Sequence, residues 1–522
     1  MRNFSKLKLS LAIVAFLAAA ACGPIGGHLQ APEQRQGRTL LEEANRLRGR
    51  DNYISLKRAF TLYKDLYVRP SLRDAVLVPY LETSLLLTVR GKELGIGDPL
   101  PFETAGGLIA NHRALSRYRP FFEIAFVLPV KTKGVMTDID NKFAWVKLGE
   151  DLQPQEPRLR QRALADEFSA YLYAAWISER FDYGKIESLD EIYGRFPLSK
   201  SLRYKAAASI RSVDTDALGK LLDENSEFYE AHFQLGQAAL GKGLLLEAEK
   251  EFLKSYQGIP ESPETRILLA SIYFATEETD KSLEFYEKTL EIAPEYRDAI
   301  LGKAICLTTL GRNKEAIAVL EKNLALGYWL LGETHFWLAW NYHALKDGAK
   351  ASFHIEEAKT RLGTASEVFS LSGTIRFEAG NKDGAETDFR EALRHNTVNT
   401  EALLGLGHVF AKREIWIESG EWYLKAGDTS EMSAAAVRAK IGEIEGSDLL
   451  PARKEALLRK KRAQLDSHLQ SRAMAFYLAA AALANGGRTA DALGAAEKAA
   501  GHSLYKQKAE ELAAKIRSLK EG

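Results

Sequence analysis

Small residues return at a nearly fixed interval through the middle of this 522-residue chain. Alanine or serine occurs at six positions that are separated by 34, 34, 35, 34 and 34 residues, namely Ala248, Ser282, Ala316, Ala351, Ala385 and Ser419. A second small residue stands twelve positions before each of them, at Gly236, Ala270, Ala304, Ala339, Gly373 and Gly407. A bulky apolar residue follows four positions after each, at Phe252, Tyr286, Leu320, Ile355, Phe389 and Tyr423. A period of this kind predicts stacked repeat units, each too small to bury its apolar face alone.

Two antiparallel helices can pack closely only where their facing side chains are small, and the two small positions of each period meet this need. Pro260 and Pro294 lie 34 residues apart at repeat ends, where proline stops a helix. The pattern resembles the tetratricopeptide repeat (TPR) family, whose unit is a 34-residue helix–turn–helix. The resemblance implies an all-α fold, a right-handed α-solenoid of helical hairpins, and a surface that holds other proteins rather than an enzyme.

Helical periodicity extends beyond the repeats on both sides. We predict a degenerate TPR-like region over 38–228, six repeats over 229–433, and a C-terminal part over 434–522. That last part holds a long helical hairpin broken at Gly446 and Pro451, a repeat-like frame and a capping helix. Residues 91–157 interrupt the pattern with many glycines and prolines, and we expect an ordered cap packed on the solenoid there. A lobe that contacts a partner or a membrane is the alternative.

The N-terminus has the features of a targeting signal. A basic start precedes an apolar run over residues 9–21, which is too short to span a bilayer as a resident helix. Small residues then lead to Cys22, and this arrangement resembles a bacterial lipobox. The resemblance implies that residues 1–21 are a lipoprotein signal peptide, that Cys22 is lipidated, and that 22–37 form a flexible tether. An ordinary secretory signal is the alternative. Gly23 follows the cysteine in place of the aspartate of inner-membrane lipoproteins, which favours the periplasmic face of the outer membrane.

Signatures of catalysis are absent from the sequence. It contains no phosphate-binding loop, no nucleophile elbow and no paired-histidine zinc helix. The densest histidines are His335, His343 and His354, and no cysteine or carboxylate stands with them at ligand spacing. We therefore expect no enzyme, no metal and no cofactor, and the rival hypothesis is an enzyme or small-ligand receptor with its site in 91–157. The net charge of +1 argues against nucleic acid as a partner.

The first helices of TPR arrays line a concave groove, and by that resemblance several side chains face inward here. We predict a partner-binding groove formed by Phe233, Phe274, Phe336, Trp340, His343, Phe377, Glu333 and Glu367, with His408 at a matching position. Aromatic side chains on such a wall can anchor a peptide or helix. Acids in the first helical turns also stabilise the helix dipole without any ligand, and repeat-edge aromatics often pack on neighbours. The expected partner is another envelope protein or a peptide segment of it, with the membrane reached through the Cys22 anchor.

The basic run 459–462 lies on a predicted helix. We interpret it as a solvated helix face, and contact with anionic lipid or an acidic partner is the alternative. Cys306 lies beside Ala304 on the first helix of its repeat, and we predict a small core residue there.

Overall fold

The computed structural model describes residues 31–128, 153–178, 187–208, 213–327, 330–447 and 451–521. Within these ranges the regular structure is helical, apart from one isolated bridge between Ala208 and Val213, so the predicted all-α class is confirmed. The predicted signal peptide, Cys22 and the first part of the predicted tether lie outside the described residues. The helices fall into two units, one formed by residues 1–272 and 291–293 and the other by residues 273–290 and 294–522.

The first unit contains the degenerate N-terminal helices and the start of the regular repeats. Its helices are α1 (Ala31–Arg48), α2 (Tyr53–Tyr67), α3 (Arg73–Glu93), α4 (Leu100–Asn111), α5 (Arg119–Val127), α6 (Glu156–Ala163), α7 (Glu167–Ser178), α8 (Glu187–Arg195), α9 (Lys200–Ala207), α10 (Thr215–Glu224), α11 (Tyr229–Gly241), α12 (Leu245–Gly258) and most of α13 (Pro263–Ala275). Short 3₁₀ segments cover Arg113–Tyr118 and Gln153–Gln155.

The second unit contains the remaining repeats and the C-terminal helices. They are most of α14 (Thr279–Ile292), then α15 (Arg297–Thr309), α16 (Asn313–Ala325), α17 (Leu331–Ala344), α18 (Gly348–Arg361), α19 (Ser366–Glu378), α20 (Lys382–His395), α21 (Thr400–Lys412), α22 (Trp416–Glu445), α23 (Pro451–Asn485), α24 (Thr489–Ala499) and α25 (Ser503–Glu521). The predicted C-terminal hairpin corresponds to α22 and α23, which are longer than expected, and the capping helix is α25.

The repeating small and large residues pack as their spacing predicts. All eighteen positions of the pattern are buried. A Cβ atom built on Gly373 would lie only 2.6 Å from the ring of Phe389 in the same repeat, and one built on Gly405 of the next repeat would lie 2.3 Å from that ring. The bulky residue therefore fills the space within its own hairpin and also the space to the next one, so that stacking creates the core.

The predicted tether is too long at its C-terminal end. Helix α1 begins at Ala31, so residues 31–37 are helical rather than part of a flexible segment. Pro32 stands in the first turn, where its missing N–H has no intrahelical partner to lose. Gly37 is buried, and a Cβ atom there would lie 2.7 Å from Leu72. The proline thus begins the helix, and the glycine allows a close contact with Leu72.

The insertion 91–157 also contains more helix than its composition suggests. Pro101 and Pro120 stand in the first turns of α4 and α5, and they begin these helices rather than break them. Phe121 and Ile124 on α5 are fully buried in the main core of the first unit. The described part of the insertion is thus helical and packs on the core of the first unit. No helix within the described ranges is long and apolar enough to cross a membrane.

Candidate functional site

The first helices of four successive hairpins in the second unit present one face to solvent. These helices are α15, α17, α19 and α21, and each contributes four residues at equivalent positions to the face. The residues are Asp298, Leu301, Ile305 and Thr308 on α15; Glu333, Phe336, Trp340 and His343 on α17; Glu367, Ser370, Thr374 and Phe377 on α19; and Glu401, Leu404, His408 and Ala411 on α21. Of the sixteen side chains at these positions, only Ser370 is buried. The opposite faces carry the buried small and apolar residues. We call this partly exposed face the groove.

Aromatic side chains are concentrated on α17 in the groove. Trp340 is 36% exposed, and its ring centroid lies 6.3 Å from those of both Phe336 and Trp337. Phe336 and Trp337 are 5.2 Å apart and half-buried, and they pack against the core of their repeat. The cluster is therefore held from below, and Trp340 remains available to a partner. Trp337 was not among the predicted groove residues, although its position next to Phe336 could have indicated it.

Contacts between neighbouring first helices bring the remaining predicted side chains into the same surface. His343 Nε2 lies 3.0 Å from Glu378 Oε2 on the next first helix, α19. Phe377 on α19 stacks on His408 of α21 with ring centroids 6.3 Å apart. Phe336 and Trp340 thus form one aromatic group and Phe377 forms a second with His408, and the His343–Glu378 contact links their helices.

Carboxylates line one edge of the groove, where the N-terminal ends of its four helices lie. Asp298, Glu333, Glu367 and Glu401 occupy equivalent positions in the first turns of the four helices, where they favour the helix dipole. Glu367 and Glu401 are exposed, whereas Glu333 and Asp298 are half-buried. Burial raises the pKa of Asp298 to about 6. A row of acids beside exposed aromatic rings suits a partner segment that carries both apolar and basic side chains.

Of the two predicted groove residues on α11 and α13, one is buried and one is exposed. Phe233 is only 3% exposed, and its ring packs on Phe252 at 5.7 Å, so its assignment to a binding groove was wrong. Its ring packs inside its own hairpin instead of facing the solvent. Phe274 on α13 is 37% exposed, as a surface role requires. Glu230, at the position equivalent to Glu333, is buried and pairs with Arg90.

The histidines do not form a metal site with His343. His335 Nδ1 and His354 Nδ1 lie 2.9 Å apart and share a hydrogen bond, while His343 contacts Glu378 instead. Burial lowers the pKa of both paired histidines, that of His354 to about 4. In the part of the chain that the structure describes, no group of three or more His, Cys, Asp or Glu side chains could hold a metal ion. Cys306 is buried as expected, with its Sγ 3.3 Å from Ser282 Oγ.

The described part of the insertion supplies packing rather than convergent chemistry. Its buried side chains are mainly apolar, and on its outer face Phe102 stacks on Phe122 at 4.4 Å beside Phe126. A cavity of about 460 Å³ in the first unit is lined by residues outside 91–157, among them Asp51, Glu167 and Tyr171. No observation on the described residues therefore favours the rival hypothesis of a small-molecule site in the insertion.

Sequence comparisons identify the repeats. Models of the tetratricopeptide repeat match residues 216–264, 263–296 and 371–430. The uncharacterized protein MJ0572 of Methanocaldococcus jannaschii is 41% identical over 49 residues, which make up 9% of this chain and 57% of that protein. The chain thus spans little more than half the length of this relative.

Comparisons of structure return other helical-repeat proteins. A chain of the APC/C hetero-tetramer Cut9-Hcn1 is similar with a TM-score of 0.43 and 12% identity, over 93% of this chain and 94% of that chain. Yeast Tom70 is similar with a TM-score of 0.35 and 13% identity, over 94% and 97%. YrrB, a TPR protein with an unusual peptide-binding site, has a TM-score of 0.29 and 23% identity, over 36% and 97%.

The family assignment depends on the repeats themselves. The 34-residue period is built as stacked helical hairpins, every small and large position of the pattern is buried, and the sequence models match at three places along the chain. The architecture is that of a scaffold for protein–protein interaction. The chain contains tetratricopeptide repeats.

Proposed function

We propose that this chain is a lipid-anchored scaffold of the bacterial cell envelope, which binds another envelope protein through the groove of its second unit. The observation that carries the proposal is the exposed ring of Trp340, held by Phe336 and Trp337 on a surface with a row of acids. Aromatic side chains in such positions provide a large share of the binding energy at protein interfaces. The preferred partner is a segment with an apolar anchor and basic flanks.

The proposed cellular location depends on the N-terminal sequence. A basic start, an apolar run and small residues before Cys22 are typical of a bacterial lipoprotein signal. An anchor of several acyl chains is strong because each buried CH₂ contributes about 0.8 kcal/mol. We place the protein at the periplasmic face of the outer membrane. In Cys22→Ser, acyl labelling should disappear and the protein should leave the membrane fraction. Labelling that persists in this variant would remove the anchor from the proposal.

The groove is tested by capture of partners from crosslinked envelopes, with the full chain carrying an affinity tag. Trp340→Ala should weaken capture by about 1–4 kcal/mol, the usual range for an aromatic hot spot, while the melting temperature changes little. Phe353→Ala is a matched control, because Phe353 is 60% exposed on the second helix α18 rather than on a first helix. This control should capture partners as well as the parent does.

The rival surface is the aromatic outer face of the insertion. Because Phe121 and Ile124 belong to the core, deletion of the insertion would disturb the fold, and a surface substitution is the cleaner test. Phe126 is 47% exposed, so Phe126→Ser should be tolerated. If capture survives Trp340→Ala but is lost in Phe126→Ser, the insertion binds the partner and the groove does not.

A further inference from the structure

The two long helices of the second unit form a rigid antiparallel hairpin. Close contacts hold them together, because a Cβ atom on Gly427 or Gly420 of α22 would lie 2.7 Å from Phe476 or 2.5 Å from Leu483 of α23. Farther along, Arg472 pairs with Glu431. With 35 residues at 1.5 Å each, α23 is about 50 Å long. We call the end of this hairpin nearest Glu445 and Pro451 its tip.

Basic side chains near the tip contact a turn far away in the sequence. Arg453 Nη2 lies 3.0 Å from Glu278 Oε1, and Lys461 Nζ lies 2.6 Å from Glu277 Oε1. Lys460 donates to the backbone oxygen of Glu277. The basic run of the sequence is therefore not simply a solvated face. Three of its four cations bind acids or carbonyls of the same unit, because Arg462 also pairs with Glu445.

These contacts join the two ends of the groove. Helix α22 is the second helix of the last hairpin that lines the groove. Glu277 and Glu278 lie in the turn between α13 and α14, one hairpin before α15, the first helix of the groove. Repeat arrays curve and form concave surfaces, which in the arrays that these repeats resemble are lined by the first helices. A straight hairpin that reaches from one end of such an array to the other would pass on the inside of the curve, in front of the groove.

The turn that receives the tip has a residue in the left-handed conformation. The same position holds glycine in some hairpins, as at Gly311 and Gly380, and a residue with a side chain in others, as at Lys346; here it is Glu277, with φ of 62°. The left-handed conformation costs a residue with a side chain about 1–2 kcal/mol. Glu414 accepts the same conformation without a contact to the tip, so it provides a control for the backbone.

We propose that the α22–α23 hairpin is an ion-pair latch that covers the groove when closed and admits a flexible partner segment when open. The proposal rests on the groove as the binding surface. A folded domain cannot pass under a closed latch, so the partner presents an extended or unfolded segment. The paired side chains are 13–33% exposed, so that salt reaches and screens them.

The charge state of the turn agrees with a latch that is closed at neutral pH. Burial alone would raise the pKa of Glu278, but Lys281 and Arg453 outweigh it and hold the pKa below its ordinary value. The carboxylate stays ionised at neutral pH, and the contact is lost only as the pH falls through this lowered pKa.

The test measures access to the groove without any partner. A single cysteine is placed in the groove by Thr374→Cys, in a Cys22→Ser/Cys306→Ala background, and its reaction rates with N-ethylmaleimide and with a maleimide carried on a bulky polyethylene glycol are compared. Ser352→Cys on α18 is the control for an uncovered position. The closed latch should slow only the bulky reagent, and only at position 374.

Charge reversal then separates a latch from a passive cover. Arg453→Glu/Lys461→Glu should raise the bulky-to-small rate ratio at position 374 by roughly tenfold, as the loss of several weak ion pairs allows. Adding Glu277→Lys/Glu278→Arg should restore the low ratio. Arg438→Glu/Lys440→Glu, which alters cations that pair only within the hairpin, should have no effect.

Equal ratios at positions 374 and 352 would show that nothing covers the groove. A low ratio that charge reversal leaves unchanged, or that the swapped charges fail to restore, would rule out the latch. Circular dichroism confirms that each variant is folded. Since no partner is present, failure of the latch is distinguishable from failure of the proposed function, which is decided by capture with Trp340→Ala.

Discussion

Arg90 forms a deeply buried ion pair with Glu230 in the first unit. Its guanidinium lies between the rings of Tyr171 and Tyr204, 4.8 Å from each centroid, and Glu230 Oε1 is 3.8 Å from its Nη1. Arg90 and Glu230 are each 1% exposed. Removing one partner of a buried pair leaves the other charge without compensation, and we expect Arg90→Met to cost about 3–5 kcal/mol of unfolding free energy in urea. Arg90→Met/Glu230→Leu should recover most of that loss. A double variant as unstable as the single one would mean that packing, not charge, is what Arg90 contributes.

Asp298 makes the stability of the fold depend on pH. Burial raises its pKa from 3.8 to about 6, so the folded protein binds this proton more tightly than the unfolded chain. Folding therefore becomes less favourable as the pH rises through this window, and the penalty is complete above it. Asp298→Asn should raise the melting temperature at about pH 7.5 and leave it unchanged near pH 3.5. An equal difference at both pH values would assign the effect to something other than this carboxyl.

At the scale of the helix, the small positions of the repeat decide how closely the two helices of a hairpin approach. A Cβ atom on Gly373 would lie 2.6 Å from Phe389, whereas one on Gly494, also inside a helix, would have no atom within 4 Å. Gly373→Ala should thus destabilise the protein by about 1–3 kcal/mol through overpacking. Gly494→Ala should stabilise it by about 0.5–1 kcal/mol through helix propensity. Chemical unfolding tests whether the two changes in the free energy of unfolding have opposite signs. Phe389→Leu should restore part of the stability that Gly373→Ala loses.

How well a helix could be predicted depended on how regular its sequence is. The repeats from Ala248 onward follow a period that only stacked hairpins satisfy, and the sequence located them correctly. Around Pro32, Pro101 and Pro120 the composition suggested loops, yet each proline stands in the first turn of a helix. Proline is equally at home at a helix start and in a loop, so only the tertiary packing that follows distinguishes the two.

At the scale of the whole molecule, part of the site could be predicted and part could not. The wheel position of Trp340 was enough to place it on the groove, because its helix lies in a regular repeat. Phe233 occupies an equivalent position to Phe336 but is buried, since its ring packs on Phe252 and no local pattern records that contact. The contact of Lys461 with Glu277 joins residues 184 positions apart, and no periodicity could reveal it.

The central claim, that the groove binds an envelope protein, is tested most directly by photo-crosslinking in intact bacteria. A benzophenone amino acid replaces Trp340 in one strain and Phe353 in another, since both side chains are exposed aromatics of adjacent helices in the same hairpin. Irradiation followed by mass spectrometry should identify a covalent adduct with one envelope protein from position 340 and none from position 353. Adducts from position 353 alone, or from a probe at Phe126 while position 340 gives none, would contradict the account.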